Sequence, residues 1–304
     1  MRVFFLEKVK EKNLEDAVAF IAPYEQNCVE LMSRLLDGSW QLSVYSYYIL
    51  YEGETIFKKR IVAVLMKSTG GLLQHCFPDC MAGGNGAKLL HSRKLARALK
   101  PLFTDGNLYC IMGERVSTEF MAHLAEKFAD GKKIIEEKDY LLLSYHPENL
   151  PDGLFDRNFD FEVVECGSDD AGRIFDLQKQ YMAVEVVPKG KKVSDDMCSR
   201  NVELMLKKQM VYAVGQDGKL VAKAGSNAIG KNLIQLGGVF TDEKYRGQGM
   251  AQCLVSLISK RVLDEGKQPV LFVRTHNESA KKAYRKCGYI YQNDYLILYY
   301  DDAC

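Results

Sequence analysis

The chain has 304 residues, with 41 basic and 40 acidic side chains, a hydrophobic fraction of 47% and a charged fraction of 27%. That near-neutral balance excludes the broad basic surface with which nucleic-acid binders displace counterions from phosphate. No window approaches the ~20 consecutive apolar residues of a membrane helix. Nine cysteines, an odd number at irregular spacing, argue against a disulfide framework and for a reducing, cytoplasmic setting. The apolar start, Val3-Phe4-Phe5-Leu6, meets charge at Glu7-Lys8 and is too short for the apolar region of a signal peptide.

Read in chain order, residues 45–51, 61–67 and 72–77 are expected as strands, with Gly70-Gly71 as a turn between the last two. A helix is expected over 88–102, a strand over 108–112, a helix over 117–128 capped by Ser117, and a strand over 140–145. The segment His146-Pro147-Glu148-Asn149-Leu150-Pro151-Asp152-Gly153 is the best linker, because two prolines and a glycine oppose regular structure. It divides the chain into a first domain over 1–147, a linker over 148–160 and a second domain over 161–304.

The second half repeats the order more clearly. A strand over 161–166 precedes a helix opening at Ser168-Asp169-Asp170, and another helix opens at Ser194-Asp195-Asp196 and runs toward Gln209. Residues 210–214 and 220–228 read as a hairpin joined at Asp217-Gly218. After a strand over 233–241, a helix over 249–265 carries Met250, Leu254, Leu257, Ile258 and Val262 at the spacing of one buried face. A short apolar strand over 269–275, a helix over 277–286 stopped by Gly288, and a final strand or strand pair over 289–300 end the chain. Alternating strands and helices place both halves among mixed α/β folds.

The sharpest feature is Leu236-Gly237-Gly238-Val239-Phe240-Thr241-Asp242-Glu243-Lys244-Tyr245-Arg246-Gly247-Gln248-Gly249-Met250-Ala251. A strand ends, a loop follows, and a helix begins within a glycine pair. The first amides of such a helix have no partner within it, and its dipole favours an anion there. The glycines alone fit an ordinary strand-to-helix turn equally well. The loop is neither a nucleotide P-loop nor a dinucleotide fingerprint, since Gly-Lys-Ser/Thr and the third glycine are missing.

Arg246-x-x-Gly249-x-Ala251 resembles the Arg/Gln-x-x-Gly-x-Gly/Ala signature of the GNAT superfamily of N-acetyltransferases. Asn277-Glu278-Ser279-Ala280-Lys281-Lys282-Ala283-Tyr284-Arg285-Lys286-Cys287-Gly288-Tyr289 is similar to that family's second signature, with Tyr289 in place of phenylalanine. The resemblance covers about residues 160–300. It implies two tandem modules, each a splayed mixed β-sheet flanked by helices, and acetyl-coenzyme A as co-substrate with no metal.

For the coenzyme, the resemblance implies contacts from Val239, Phe240 and Thr241 to the pantetheine arm. It implies that Arg246, Gly247, Gln248, Gly249, Met250 and Ala251 hold the pyrophosphate, with Asn277 facing the pantetheine. Gly237-Gly238 suits a bulge that splays the sheet, though glycines also relieve packing. Tyr284 matches the proton donor to the departing thiolate; a buried core tyrosine is its plain alternative. Where many members carry a glutamate before the phosphate loop, this chain has Gln235. Glu185 is the substitute base and Tyr181 the substrate contact, each otherwise an ordinary helix residue.

In the first half, Ala82-Gly83-Gly84-Asn85-Gly86-Ala87 stands at the corresponding loop, but Met81 replaces the arginine and Gly113-Glu114-Arg115 replaces the second signature. That half reads as a degenerate module. His75, Cys76, Cys80 and His91 do not have the spacing of a zinc site, and Cys287 reads as a small buried side chain. The expected activity is direct transfer of acetyl to a primary amine on a small molecule or peptide, without a membrane or nucleic-acid partner. Two other readings stay open: a coenzyme A-binding regulatory protein without turnover, and an acyltransferase for a longer chain.

Overall fold

The computed structural model describes residues 3–54, 58–78, 92–149, 161–188 and 190–301. Contacts divide the chain into two units: Met1–Tyr140 with Asn293–Cys304, and Leu141–Gln292.

In the first unit, strands β1 (Val3–Lys8), β2 (Tyr45–Gly53), β3 (Lys59–Ser68), β4 (Leu72–Cys76) and β5 (Cys110–Glu114) precede β6 (Ile134–Tyr145). The final strand of the chain, β12 (Tyr289–Tyr300), lies antiparallel beside β5 through Tyr295–Glu114 to Tyr299–Cys110, giving the order β1-β2-β3-β4-β5-β12. Pairing is antiparallel from β1 to β4, and β4 runs parallel to β5. Successive residues of one strand enter opposite cores. Leu50 and Leu65 pack with helices α3 (Arg93–Leu99) and α4 (Arg115–Phe128), whereas Ile49 and Val64 pack with α1 (Glu11–Ile21) and α2 (Val29–Leu36). Covered faces on both sides explain why these strands read as nearly continuous apolar runs.

Two expectations change here. Helix α4 begins at Arg115, and its cap is Glu114, whose carboxylate accepts from the amides of Val116 and Ser117 at 2.9 Å each. Ser117 is buried and donates its hydroxyl to that same carboxylate, so a carboxylate has displaced the expected serine cap. The glycine loop over 82–87, with Cys80 and His91, lies outside the described residues.

The second unit contains β7 (Glu162–Glu165), α5 (Ala171–Tyr181) continued by a π-helical turn over Met182–Val186, α6 (Asp195–Lys208), β8 (Val211–Gln216), β9 (Lys219–Ile229) and β10 (Leu233–Thr241). It continues with α7 (Met250–Asp264), β11 (Gln268–Arg274) and α8 (Glu278–Lys286). The strand order is β7-β8-β9-β10-β11-β6. Asp217 and Gly218, both at positive φ (52° and 77°), turn the β8–β9 hairpin in the conformation its twist prefers. Ser194 caps α6, and Gly288 takes the left-handed position after α8. Tyr212 and Val214 enter the core under α7 and α8, and Ala213 the core under α5 and α6.

Most of the expected 148–160 linker lies outside the described residues. The contact units divide within β6 and β12, after Tyr140 and after Gln292, because both strands are long enough to serve two units in turn.

Candidate active site

Strand β10 carries the geometry on which the site depends. Its antiparallel register with β9 runs Gly237–Gly225 and then Phe240–Lys223, so three steps on β10 match two on β9. The extra residue is a β-bulge, and Gly238 there has φ +62°, a conformation that L side chains rarely adopt. On its other side β10 pairs with β11 in parallel only from Leu233–Gln268 to Leu236–Leu271. Both strands continue, to Thr241 and Arg274, beyond their shared register. The glycine pair therefore marks the point where the sheet splays.

Beyond β10, Glu243–Tyr245 form one 3-10 turn, steadied by Asp242, which accepts from the Lys244 amide at 3.0 Å. Gly247 and Gly249 follow at φ +81° and +89°, each with open space where a Cβ would stand. Gly249 is the N-cap of α7 and offers no side chain to its amides. The first helical bond runs from Cys253 N to Gly249 O, so the amides of Met250, Ala251 and Gln252 lie ahead of the ladder. This places consecutive donors and the positive end of a 15-residue helix at an open surface.

Around these elements, Arg246 and Gln248 are exposed, Ala251 is half-buried and Met250 is buried. Arg246 donates Nε–H to the Thr241 carbonyl at 3.2 Å, and its guanidinium lies 6.0 Å from the Phe240 ring. Val239 packs toward the core under α7, whereas Phe240 faces the core under α5. Asn277 caps α8 by accepting from the Ala280 amide at 3.1 Å.

The predicted acceptor-side residues meet near the bulge. Tyr181 ends α5, with its ring 6.3 Å from that of Phe240 and its phenol hydrogen-bonded by the main chain of Gly238. Burial, then the charge of Glu185, pushes the Tyr181 phenol up to about 12. Tyr284 on α8 is buried, and its phenol is also pushed up, by burial first and then by Tyr181, Cys287 and Glu185. Glu185 sits in the π-helical turn, 3.6 Å from Arg274 at the end of β11. Cys287 is buried, accepts from Ser256 Oγ at 3.5 Å and approaches the Gln252 carbonyl at 3.8 Å.

Sequence reasoning misses two residues at this site. Arg274 closes an apolar strand. Lys223 stands in the middle of β9, 1% exposed, and donates Nζ–H to the Gly238 carbonyl at 2.8 Å. Its Nζ lies 4.3 Å from the centre of the Tyr181 ring. The available signal is a lone charge inside the run Leu220-Val221-Ala222-Lys223-Ala224, where alternation alone gives no reason for one.

In the first unit, His75 on β4 is buried, with its ring where a Cβ on Gly113 of β5 would be. Its Nε2 bonds Thr118 Oγ1 at 3.0 Å, and burial lowers its pKa to about 4. Among the described residues, no group of three or more His, Cys, Asp or Glu is placed to hold a metal ion. No described helix is long and apolar enough to cross a membrane.

Residues 214–297 match the family model described as FR47-like protein. Among solved structures, a Drosophila protein aligns over 97% of this chain and 98% of its own, at 11% identity and a TM-score of 0.65. A tandem GNAT protein from the clavulanic acid biosynthesis pathway aligns over 100% and 99%, at 12% identity and a TM-score of 0.55. A GNAT-family acetyltransferase from Colwellia psychrerythraea aligns over 97% and 99%, at 13% identity and a TM-score of 0.53. No curated protein matches the sequence. At these identities the structural likeness is one of fold, and it spans both units. The chain thus shares its fold with these GNAT structures, the tandem protein among them, and its second unit carries the FR47-like segment.

Proposed function

We propose that the second unit transfers an acetyl group from acetyl-coenzyme A to a primary amine of a small molecule or peptide, by direct attack on the thioester. The observation that carries this reading is a single segment: a bulged, splayed strand leading into a helix whose first amides stand open behind two positive-φ glycines. Donors of that kind suit the coenzyme pyrophosphate, with Arg246 adding a charged donor. Beyond its last pair with β11, the side of β10 at Val239, Phe240 and Thr241 offers main-chain partners to the pantetheine arm, and Asn277 caps the start of α8. Acetyl-coenzyme A supplies the activated acyl group.

On the acceptor side, Glu185 brings negative charge that attracts an ammonium, and Tyr181 lines the approach. The attacking nitrogen must be neutral. As the tetrahedral adduct collapses, the C–S bond breaks and Tyr284 gives its proton to the departing sulfur. Its buried phenol is held protonated for that step. We assign no chemistry to the first unit, where His75 occupies the space between β4 and β5.

Isothermal calorimetry with coenzyme A, and thiol release from acetyl-coenzyme A with a panel of amines, test the reading. Arg246→Glu reverses charge beside the proposed pyrophosphate and should weaken coenzyme A by about tenfold or more. Equal affinity in both proteins rejects the loop as the coenzyme site. Tight coenzyme binding with no thiol release across alkylamines, amino acids and peptides favours a coenzyme-responsive regulator.

A further inference from the structure

We propose that Lys223 is the proton acceptor for the acceptor amine, taking the ammonium proton at Nζ from its place beneath the β10 bulge; this rests on the acetyl-transfer reading above. The chemistry requires such a group. An alkylammonium with a pKa near ~10 has no lone pair until it loses a proton, and that proton must go to a base inside the cleft. Strand β10 offers Gln235 where a carboxylate would serve, and Gln235 is committed to the paired part of the sheet opposite Val270. Glu185 is already engaged by the Arg274 guanidinium, 3.6 Å away.

Lys223 has the opposite surroundings. Its side chain is 1% exposed, and its Nζ is anchored at 2.8 Å to the carbonyl of Gly238, which lies within the register shift of β10 against β9 and beyond the last β10–β11 pair, Leu236–Leu271. A Cβ on Gly238 would come within 2.9 Å of Nζ, so the glycine is what admits the amine to this position. The groups that bear on it are the Tyr181 ring from α5, the Cys166 thiol after β7 and the Cys198 thiol from α6. Burial raises both thiols and the phenol, so none supplies an anion at neutral pH. Desolvation then dominates and brings Lys223 down to about 7. A base poised near the working pH accepts a proton readily and still returns it to solvent.

The step balances. The substrate N–H⁺ bond breaks, a proton bonds to the lone pair of Nζ, and the freed nitrogen pair forms the C–N bond as the carbonyl π pair moves to oxygen. When that tetrahedral adduct collapses, the C–S bond breaks and Tyr284 protonates the sulfur. The acetylated nitrogen gives its second proton to the Tyr284 phenolate, leaving a neutral amide, and Lys223 returns its proton to water to complete the cycle.

The sign follows: below pH 7 Lys223 is protonated and the base is lost, so kcat/KM should fall about tenfold per pH unit in that range. Lys223→Met keeps the chain length and removes the lone pair. At pH 7 it should lower kcat/KM for a primary alkylamine by about a hundredfold, within the usual range for losing a general base, with coenzyme A affinity by calorimetry unchanged. Its remaining rate should rise steadily from pH 7 to 9, following ionisation of the amine itself. Lys223→Arg, which retains a cation but no usable base, should match it. A variant that is slower by the same factor at every pH, with the bend near 7 retained, would show Lys223 to be a structural pin and overturn the proposal. If the variants do not fold, 15N NMR of the Lys223 amine in the wild type decides: titration near 7 supports it, and a cation persisting to pH 9 overturns it. Wild-type protein that binds coenzyme A but acetylates no amine rejects the acetyl-transfer reading and this one with it. A wild type that acetylates amines with no bend near 7 rejects this one alone.

Discussion

A phenol that must release a proton to a thiolate works against its own acidity, since tyrosine ionises near ~10 and a thiol near ~8.5. Tyr284 sits on the unfavourable side of that comparison, because burial raises it further. Its usefulness then depends on position, and Tyr284→Phe should leave coenzyme A affinity within about twofold while lowering turnover by roughly 10²-fold or more. Calorimetry and initial rates separate the two effects, and an unchanged turnover removes Tyr284 from the reaction. At this scale the sequence is an uneven guide. Arg246, Gly247, Gly249, Asn277 and Tyr284 are legible because each sits in a spaced signature. Lys223 and Arg274 are not, because a charge on a strand says nothing of what lies above it until helix α5 is packed there. Tyr181 and Glu185 can be named from the sequence, whereas their approach to Gly238 and Arg274 depends on the π-helical turn, which leaves no mark in the residue pattern.

Among the elements, β10 shows how two glycines can do different work. Gly237 and Gly238 sit at the register shift, and only Gly238 has a positive φ. Gly238→Ala therefore combines backbone strain with a methyl placed against the Lys223 amine. It should cost about 1–3 kcal/mol in urea unfolding and weaken coenzyme A, whereas an unstrained surface alanine would do neither. Unchanged stability would mean the bulge relaxes without consequence. Most second-half elements are readable from capping residues, the Asp-Gly turn and apolar spacing. Helices α1 and α2 are not, because their N-caps are Lys10 and Cys28 in place of a serine, threonine or aspartate start signal. Asn13 reaches back to accept from the Lys10 amide at 2.6 Å instead, and this reversed cap becomes recognisable only once the turn has formed.

For the molecule as a whole, the proline-containing segment after Tyr145 looks like the natural place to cut. The pairing says otherwise. Residues 295–299 of β12 bond along β5, and the first unit includes residues from Asn293 onward. Leu296, Leu298 and Tyr300 also enter that unit's core beside Ile111 and Phe120. A fragment ending at residue 147 would expose the β5 edge together with the apolar positions these side chains cover. It should be poorly folded, with fast hydrogen exchange at Cys110–Glu114, and a peptide spanning residues 289–301 added in trans should slow that exchange. A fragment with native-like protection on its own would show β12 to be dispensable there.

The arrangement of β12 also bears on biosynthesis. A ribosome extends a chain by roughly 5–20 residues per second, and amino-terminal domains usually settle while the remainder is still emerging. Here the nascent first unit must wait for more than half of the polypeptide before its missing strand leaves the exit tunnel. Through that interval its open edge is a standing invitation to chaperones or to aggregation, so rare codons late in the message should reduce the soluble yield of the portion translated first.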